Sequence, residues 1–134
     1  MPHPSVLAEA ASALQSSVAA ASSDAGFGVV PFGLTICHGL GGTIELLLTA
    51  HDVMGGEEHL TTARWLLDRA VAQLGEDPER WPTGVEGGSC APGLMTGLAG
   101  TMLLLLQMAR PGRLPGVGLL LAEPQPVAAL ARAG

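Results

Sequence analysis

Apolar residues recur at helical spacing in four stretches of the chain. In the first, from about Ser5 to Ser22, Leu7, Ala10, Ala11, Leu14 and Val18 fall on one stripe. Pro4 and Ser5 suit its start, and the serines with Asp24 and Gly26 suit its end. The second runs from about Leu40 to Met54 and is stopped by Gly55-Gly56. The third runs from about Glu57 to Leu74, with Leu60, Leu67, Val71 and Leu74 inward, two acidic residues at its positive N-terminal end, and Gly75 to close it. The fourth, Leu94 to Ala109, ends at Arg110 and Pro111. No stretch alternates with period two for long enough to make a strand, so the pattern predicts an all-α fold.

The connections Asp24 to Gly39 and Glu76 to Gly93 are long and rich in glycine and proline. Loops of that length in a compact domain usually carry function or pack against a larger structure. The segment after Pro111 reads as irregular wrapping. Internal comparison is more telling. Residues 39–48 read Gly-Leu-Gly-Gly-Thr-Ile-Glu-Leu-Leu-Leu, and residues 97–106 read Gly-Leu-Ala-Gly-Thr-Met-Leu-Leu-Leu-Leu. At this offset of 58, seven of ten positions are identical, two exchange similar side chains, and Glu45/Leu103 alone changes character. The unit is a glycine-rich loop, a leucine-rich helix and, in the first copy, a polar-faced helix leading back. A repeat needs neighbours to bury its apolar face, and about three or more units is the usual minimum. The 134 residues are therefore expected to be part of a longer array.

Composition narrows the class. The chain is 48% hydrophobic and 13% charged, which argues against disorder. Its net charge is −6, with no lysine and six scattered arginines, so the footprint of a nucleic-acid binder is missing. The most apolar stretch, Leu94 to Met108, is 15 residues long and falls short of the roughly 20 needed to span a bilayer. The alanine-rich start has no basic residues before its apolar part and makes a poor secretory signal. Two cysteines in such a chain do not demand a disulfide, and a reducing cytoplasm is the expected location.

Cys37-His38-Gly39 is the constellation with chemical meaning. Thiolate and imidazole are the side chains zinc prefers. Adjacent residues cannot share a helix face, so a joint site requires a loop or a helix start. Pro31 and Gly33 before the pair, and Gly39, Gly41 and Gly42 after it, supply that, and the helix near Leu40 puts its positive end beside the sulfur. The second copy carries Met95-Thr96 there, so the first is specialised. On residues alone, the pair is two metal ligands or a buried cysteine beside a hydrogen-bonded histidine, two ligands being fewer than zinc takes. Cys90, in the loop Glu86-Gly87-Gly88-Ser89-Cys90, is a candidate third ligand or a free loop thiol. His51 and His59, with Asp52, Glu57 and Glu58 around the Gly55-Gly56 turn, are a weak metal patch or a solvated turn. Glu45 is expected to face solvent, or else to orient His38. Trp65 reads as core, Trp81 as a loop anchor, and His3 as part of a loose terminus. No phosphate loop, nucleophile elbow or dinucleotide fingerprint is present.

Ile36-Cys37-His38-Gly39-Leu40-Gly41-Gly42, followed by a leucine-rich helix and Pro92-Gly93-Leu94-Met95-Thr96-Gly97-Leu98-Ala99-Gly100, resembles the C-terminal part of lanthionine synthetase C-like proteins. The likeness is greatest to the cyclase domain of the bifunctional class II enzymes and runs from about Phe27 to Leu121. It implies a partial α/α toroid. Residues 1–26 would be a leading helix, 27–74 the Cys-His-Gly loop with its hairpin, 75–121 a second repeat and 122–134 a tail. In the family, zinc is held by two cysteines and a histidine, with a position left for a peptide thiol. Cys37 and His38 match the adjacent pair. The other cysteine and the proton-handling histidine and aspartate lie upstream in the family and have no counterpart here. The resemblance thus implies a truncated, zinc-dependent cyclase that is inactive alone. It would add peptide cysteines to dehydroalanine or dehydrobutyrine in a ribosomally made precursor peptide, giving thioether rings, with a companion chain supplying the missing ligands. The alternative is a non-catalytic remnant, or a partner subunit that binds a peptide or completes a toroid.

Overall fold

The computed structural model describes residues 3–23, 33–85 and 91–117. Among these the fold is all-α: α1 is Pro4–Ser22, α2 Leu40–Met54, α3 Glu57–Leu74 and α4 Leu98–Ala109, with a 3-10 turn at Pro78–Arg80 and no strand. None of these helices is long and apolar enough to cross a membrane. Helix α2 is the hub, packing on α1, α3 and α4.

The α2–α3 hairpin turns on Gly55 and Gly56, whose φ angles of 77° and 95° lie where side chains are strained. His51 Nδ1–H donates to the Gly56 carbonyl at 2.9 Å and closes the turn. Helix α3 buries Leu60, Ala63, Leu66 and Ala70, while Leu67, Val71 and Leu74 flank that face half-buried. Trp65 points outward instead of into the core. It neighbours Leu66, a step of about 100° around the helix, and stacks under the Arg69 guanidinium 5.0 Å from its ring centre. Trp81 is the anchor expected of it, buried and donating from Nε1 to the Gly75 carbonyl at 2.9 Å. Helix α1 is capped by His3, whose Nδ1 accepts from the Ser5 amide, and buries Leu14 alone.

Helix α4 begins at Leu98, four residues later than the hydrophobic run suggests. A helix from Leu94 would bond the Leu98 amide to the Leu94 carbonyl, but that amide donates to Ala91 O at 2.8 Å. The carbonyls of Met95 and Thr96 are likewise taken, by the amides of Cys37 and Gly84.

The internal repeat is physical. Leu40 N–H donates to Gly33 O at 3.1 Å, and Leu98 N–H makes the same bond to Ala91 O, 58 residues on. Both helices start on an N-cap glycine, Gly39 or Gly97, with no side-chain cap, so the loop carbonyl takes that role. A β-carbon on Gly42 would strike the Ile36 carbonyl oxygen, and one on Gly100 the Leu94 carbonyl oxygen. These too are equivalent positions. The core between the copies holds Leu34, Ile44, Leu47 and Leu104, with Thr101 Oγ1 donating to Leu34 O and Gly97 O.

Glu45 does not face solvent. It is buried, and its carboxylate accepts from the Val117 amide, while Gln107 Nε2 donates to Pro115 O at 2.8 Å. Residues 111–117 thereby strap α2 to α4. Residues 24–32 and Cys90 lie outside the described residues, as does everything past Val117.

Candidate functional site

The Cys37-His38 turn stands just before the first residue of α2 and is held from several sides by backbone hydrogen bonds. Gly39 N–H donates to Thr35 O at 3.1 Å, closing the turn on itself. Leu40 N–H ties it to Gly33, and Cys37 N–H donates to Met95 O at 2.9 Å, joining it to the second copy. Gly41 lies so close to the Leu34 and Thr35 carbonyls that a β-carbon would overlap them, which lets the turn press flat on the first turn of α2. All these anchors are main-chain. Cys37 and His38 are both exposed.

The thiol of Cys37 is therefore not buried. Cys37 is a free, exposed cysteine with Sγ 3.8 Å from His38 Nε2. Zinc bonds of about 2.3 Å to sulfur and 2.0–2.1 Å to nitrogen put two tetrahedral ligands about 3.6 Å apart. The donor set and its spacing fit two ligands of one zinc ion, with Nε2 as the imidazole donor. No third histidine, cysteine, aspartate or glutamate joins them among the described residues. Cys90, the sequence candidate for that place, lies outside those residues.

Met95 and Thr96 occupy the equivalent turn before α4, so the scaffold recurs with different side chains. The other sequence candidates fall elsewhere. His51 is spent on the hairpin turn, and His59 Nε2 stands 4.0 Å from Glu58 Oε1. Together with Asp52 and Glu57 they form no metal-binding group among the described residues.

One neighbour of the site carries no signal that singled it out in the sequence. Gly84 donates its N–H to Thr96 O at 2.8 Å, and a β-carbon on it would stand 3.4 Å from His38 Nδ1. An offset of 58 pairs it with Gly26, a match that glycine-rich loops produce freely.

The family model for lanthionine synthetase C-like proteins matches residues 4–119, nearly the whole chain and every element above. No curated protein and no solved structure matches it significantly. The glycine-started repeat helices, the Cys-His-Gly turn and this family match converge: the chain belongs to the lanthionine synthetase C-like family.

Proposed function

We propose that the chain takes part in zinc-dependent lanthionine formation, in which a peptide cysteine adds to a dehydroalanine or dehydrobutyrine of the same precursor peptide. The observation that carries this reading is the exposed Cys37–His38 pair, with Sγ and Nε2 3.8 Å apart on a turn fixed by backbone hydrogen bonds. Cys37 and His38 would hold the metal. When bound, zinc would keep the substrate thiol deprotonated at neutral pH. The chain's own part is to present one sulfur and one nitrogen at that spacing, with no side-chain rearrangement required of the turn. The residues form the C-terminal part of a cyclase domain and an arc of an α/α toroid in this reading. A further ligand comes from Cys90 or from a companion chain, and the cytoplasm, where precursor peptides are made, is where the chain works.

Zinc content of the purified chain, with its mass in solution, tests this. About one zinc per chain, lost in Cys37→Ala and His38→Ala, is the expected outcome. A chain that excludes zinc both alone and with a companion cyclase segment overturns it. Incubation with a dehydrated precursor peptide, with and without that segment, then separates a working site from a bare metal site.

A second reading is a partner subunit that completes a ring by association. It is favoured by Met102 and Leu106, one turn apart on α4 and 54% and 53% exposed, where a repeat would bury its apolar face against a neighbour. A discrete oligomer that dissociates on Met102→Glu would support it.

A further inference from the structure

We infer that one water molecule is bound between the two repeats, held by Gln107 of α4 and by Thr49 and Asp52 of α2. The inference stands apart from the metal-site reading above. Gln107 is 4% exposed, and its Oε1 is buried with no hydrogen-bond partner. The other end of the amide fixes its orientation. Nε2 donates to Pro115 O at 2.8 Å, and a turned amide would set oxygen against oxygen there. Buried polar atoms in folded proteins are nearly always satisfied, by the protein or by an ordered water.

Gln107 lines a cavity of about 10 Å³ together with Thr49, Asp52, Gly112 and Gly116. That is room for a single water. A β-carbon on Gly112 would stand 3.6 Å from Asp52 Oδ1, and one on Gly116 3.2 Å from Thr49 Oγ1, so both oxygens lie toward the strap that walls the cavity. Glu45 Oε1 would stand 3.1 Å from the same carbon on Gly116, but it already accepts from the Val117 amide. Gln107 Oε1 needs a donor, and a carboxylate at neutral pH only accepts. One water completes the set. It accepts from Thr49 Oγ1–H and gives one proton to Gln107 Oε1 and the other to the Asp52 carboxylate. Three hydrogen bonds are the usual complement of a buried water. Calcium takes about six to eight oxygen ligands, more than these three side chains offer. Thr49 and Gln107 are also equivalent positions, 58 residues apart, so the water joins the two copies through the same place in each.

The test is water–protein cross-relaxation NMR of the full chain. The Leu48 and Leu114 methyl groups line the cavity and carry no exchangeable proton. A cross-peak from the water line to either is expected, with the sign that marks a water tumbling with the protein. Its absence overturns the proposal. Gln107→Met keeps the length of the side chain and loses the acceptor, so the peak should disappear. A peak that survives there is relayed by the Thr49 hydroxyl and overturns the proposal. Thr49→Val leaves the bond to Pro115 untouched and removes one of the water's three partners. It should lower the intensity of the peak, and an unchanged peak overturns the assignment. Thermal stability should be the same in sodium, potassium and choline chloride at equal ionic strength. Saturable stabilisation by one of these cations would put that ion in the cavity and overturn the water.

Discussion

The backbone N–H of Cys37 donates to the carbonyl oxygen of Met95 at 2.9 Å, so two residues holding the same place in the two repeats are bonded to each other. The turn that carries the candidate ligands is therefore placed by the turn that lacks them. Second-copy residues that touch no ligand become determinants of the site: anything that shifts the turn before α4 shifts Cys37. The specialisation of the first copy rests on the plainness of the second.

Gly100→Ala tests that dependence. The new methyl would strike the Leu94 carbonyl oxygen and come to 3.0 Å from Cγ1 of Ile36, a buried core side chain. Overpacking of this kind costs about 1–3 kcal/mol. Urea denaturation is expected to give that loss. Ala99→Gly, at an exposed neighbour on the same helix, should cost only about 0.5–1 kcal/mol. Amide exchange at Cys37 should also quicken in Gly100→Ala but not in Ala99→Gly, because only the first moves the Met95 carbonyl.

The Glu45 carboxylate holds the buried Val117 amide, and that bond can be tested in the same way. Glu45→Leu would leave that buried N–H without its acceptor, at a cost of about 1–3 kcal/mol in urea denaturation. Glu45→Gln keeps an oxygen in the same place and should recover much of the loss. Equal destabilisation by both would mean that charge, rather than the bond to residue 117, is what the position supplies.

The two tryptophans should separate cleanly. Trp81 is 5% exposed and Trp65 43%. In Trp65→Phe, the remaining emission is expected to be blue-shifted and resistant to iodide; in Trp81→Phe, red-shifted and readily quenched. Trp81→Ala should cost about 3–5 kcal/mol as a buried aromatic truncated to a cavity. Trp65→Ala forfeits little beyond the Arg69 stacking, about 0.5–1 kcal/mol.

Where glycines punctuate the chain, the helices could be read directly: α2 and α3 have the bounds that Gly39, Gly55-Gly56 and Gly75 predict. The repeat and the Cys37–His38 pair were also legible, because both are local patterns. What failed was decided by partners far along the chain. The start of α4 depends on where the Met95 and Thr96 carbonyls go, and the environment of Glu45 on a residue 72 positions away. Trp65 misled because a large aromatic residue reads as core until the helix face is phased by Ala63, Leu66 and Ala70, two of them too small to weigh in a hydrophobic stripe. Gly84 was invisible because its neighbours are His38 and Thr96, one from each repeat.

The exposed thiol offers a reading of the candidate site that needs no substrate. Cys37 Sγ is free and exposed, so in metal-free protein a disulfide reagent should modify it rapidly. Cys37→Ser should remove that fast-reacting thiol from the kinetics. If Sγ and Nε2 share a zinc ion, added zinc should slow the reaction of Cys37 about tenfold or more, and a chelator should restore it. His38→Ala keeps the thiol but removes its partner donor, so the fast reaction should remain while zinc protection is largely lost. Equal protection in His38→Ala and in the native chain would show sulfur binding metal without the imidazole, and the pair would then lose its standing as a joint site. Met95→Cys with Thr96→His, placed on the same turn of the second copy, makes the complementary test. If the backbone scaffold alone creates the pair, this variant should show a second zinc-protected thiol.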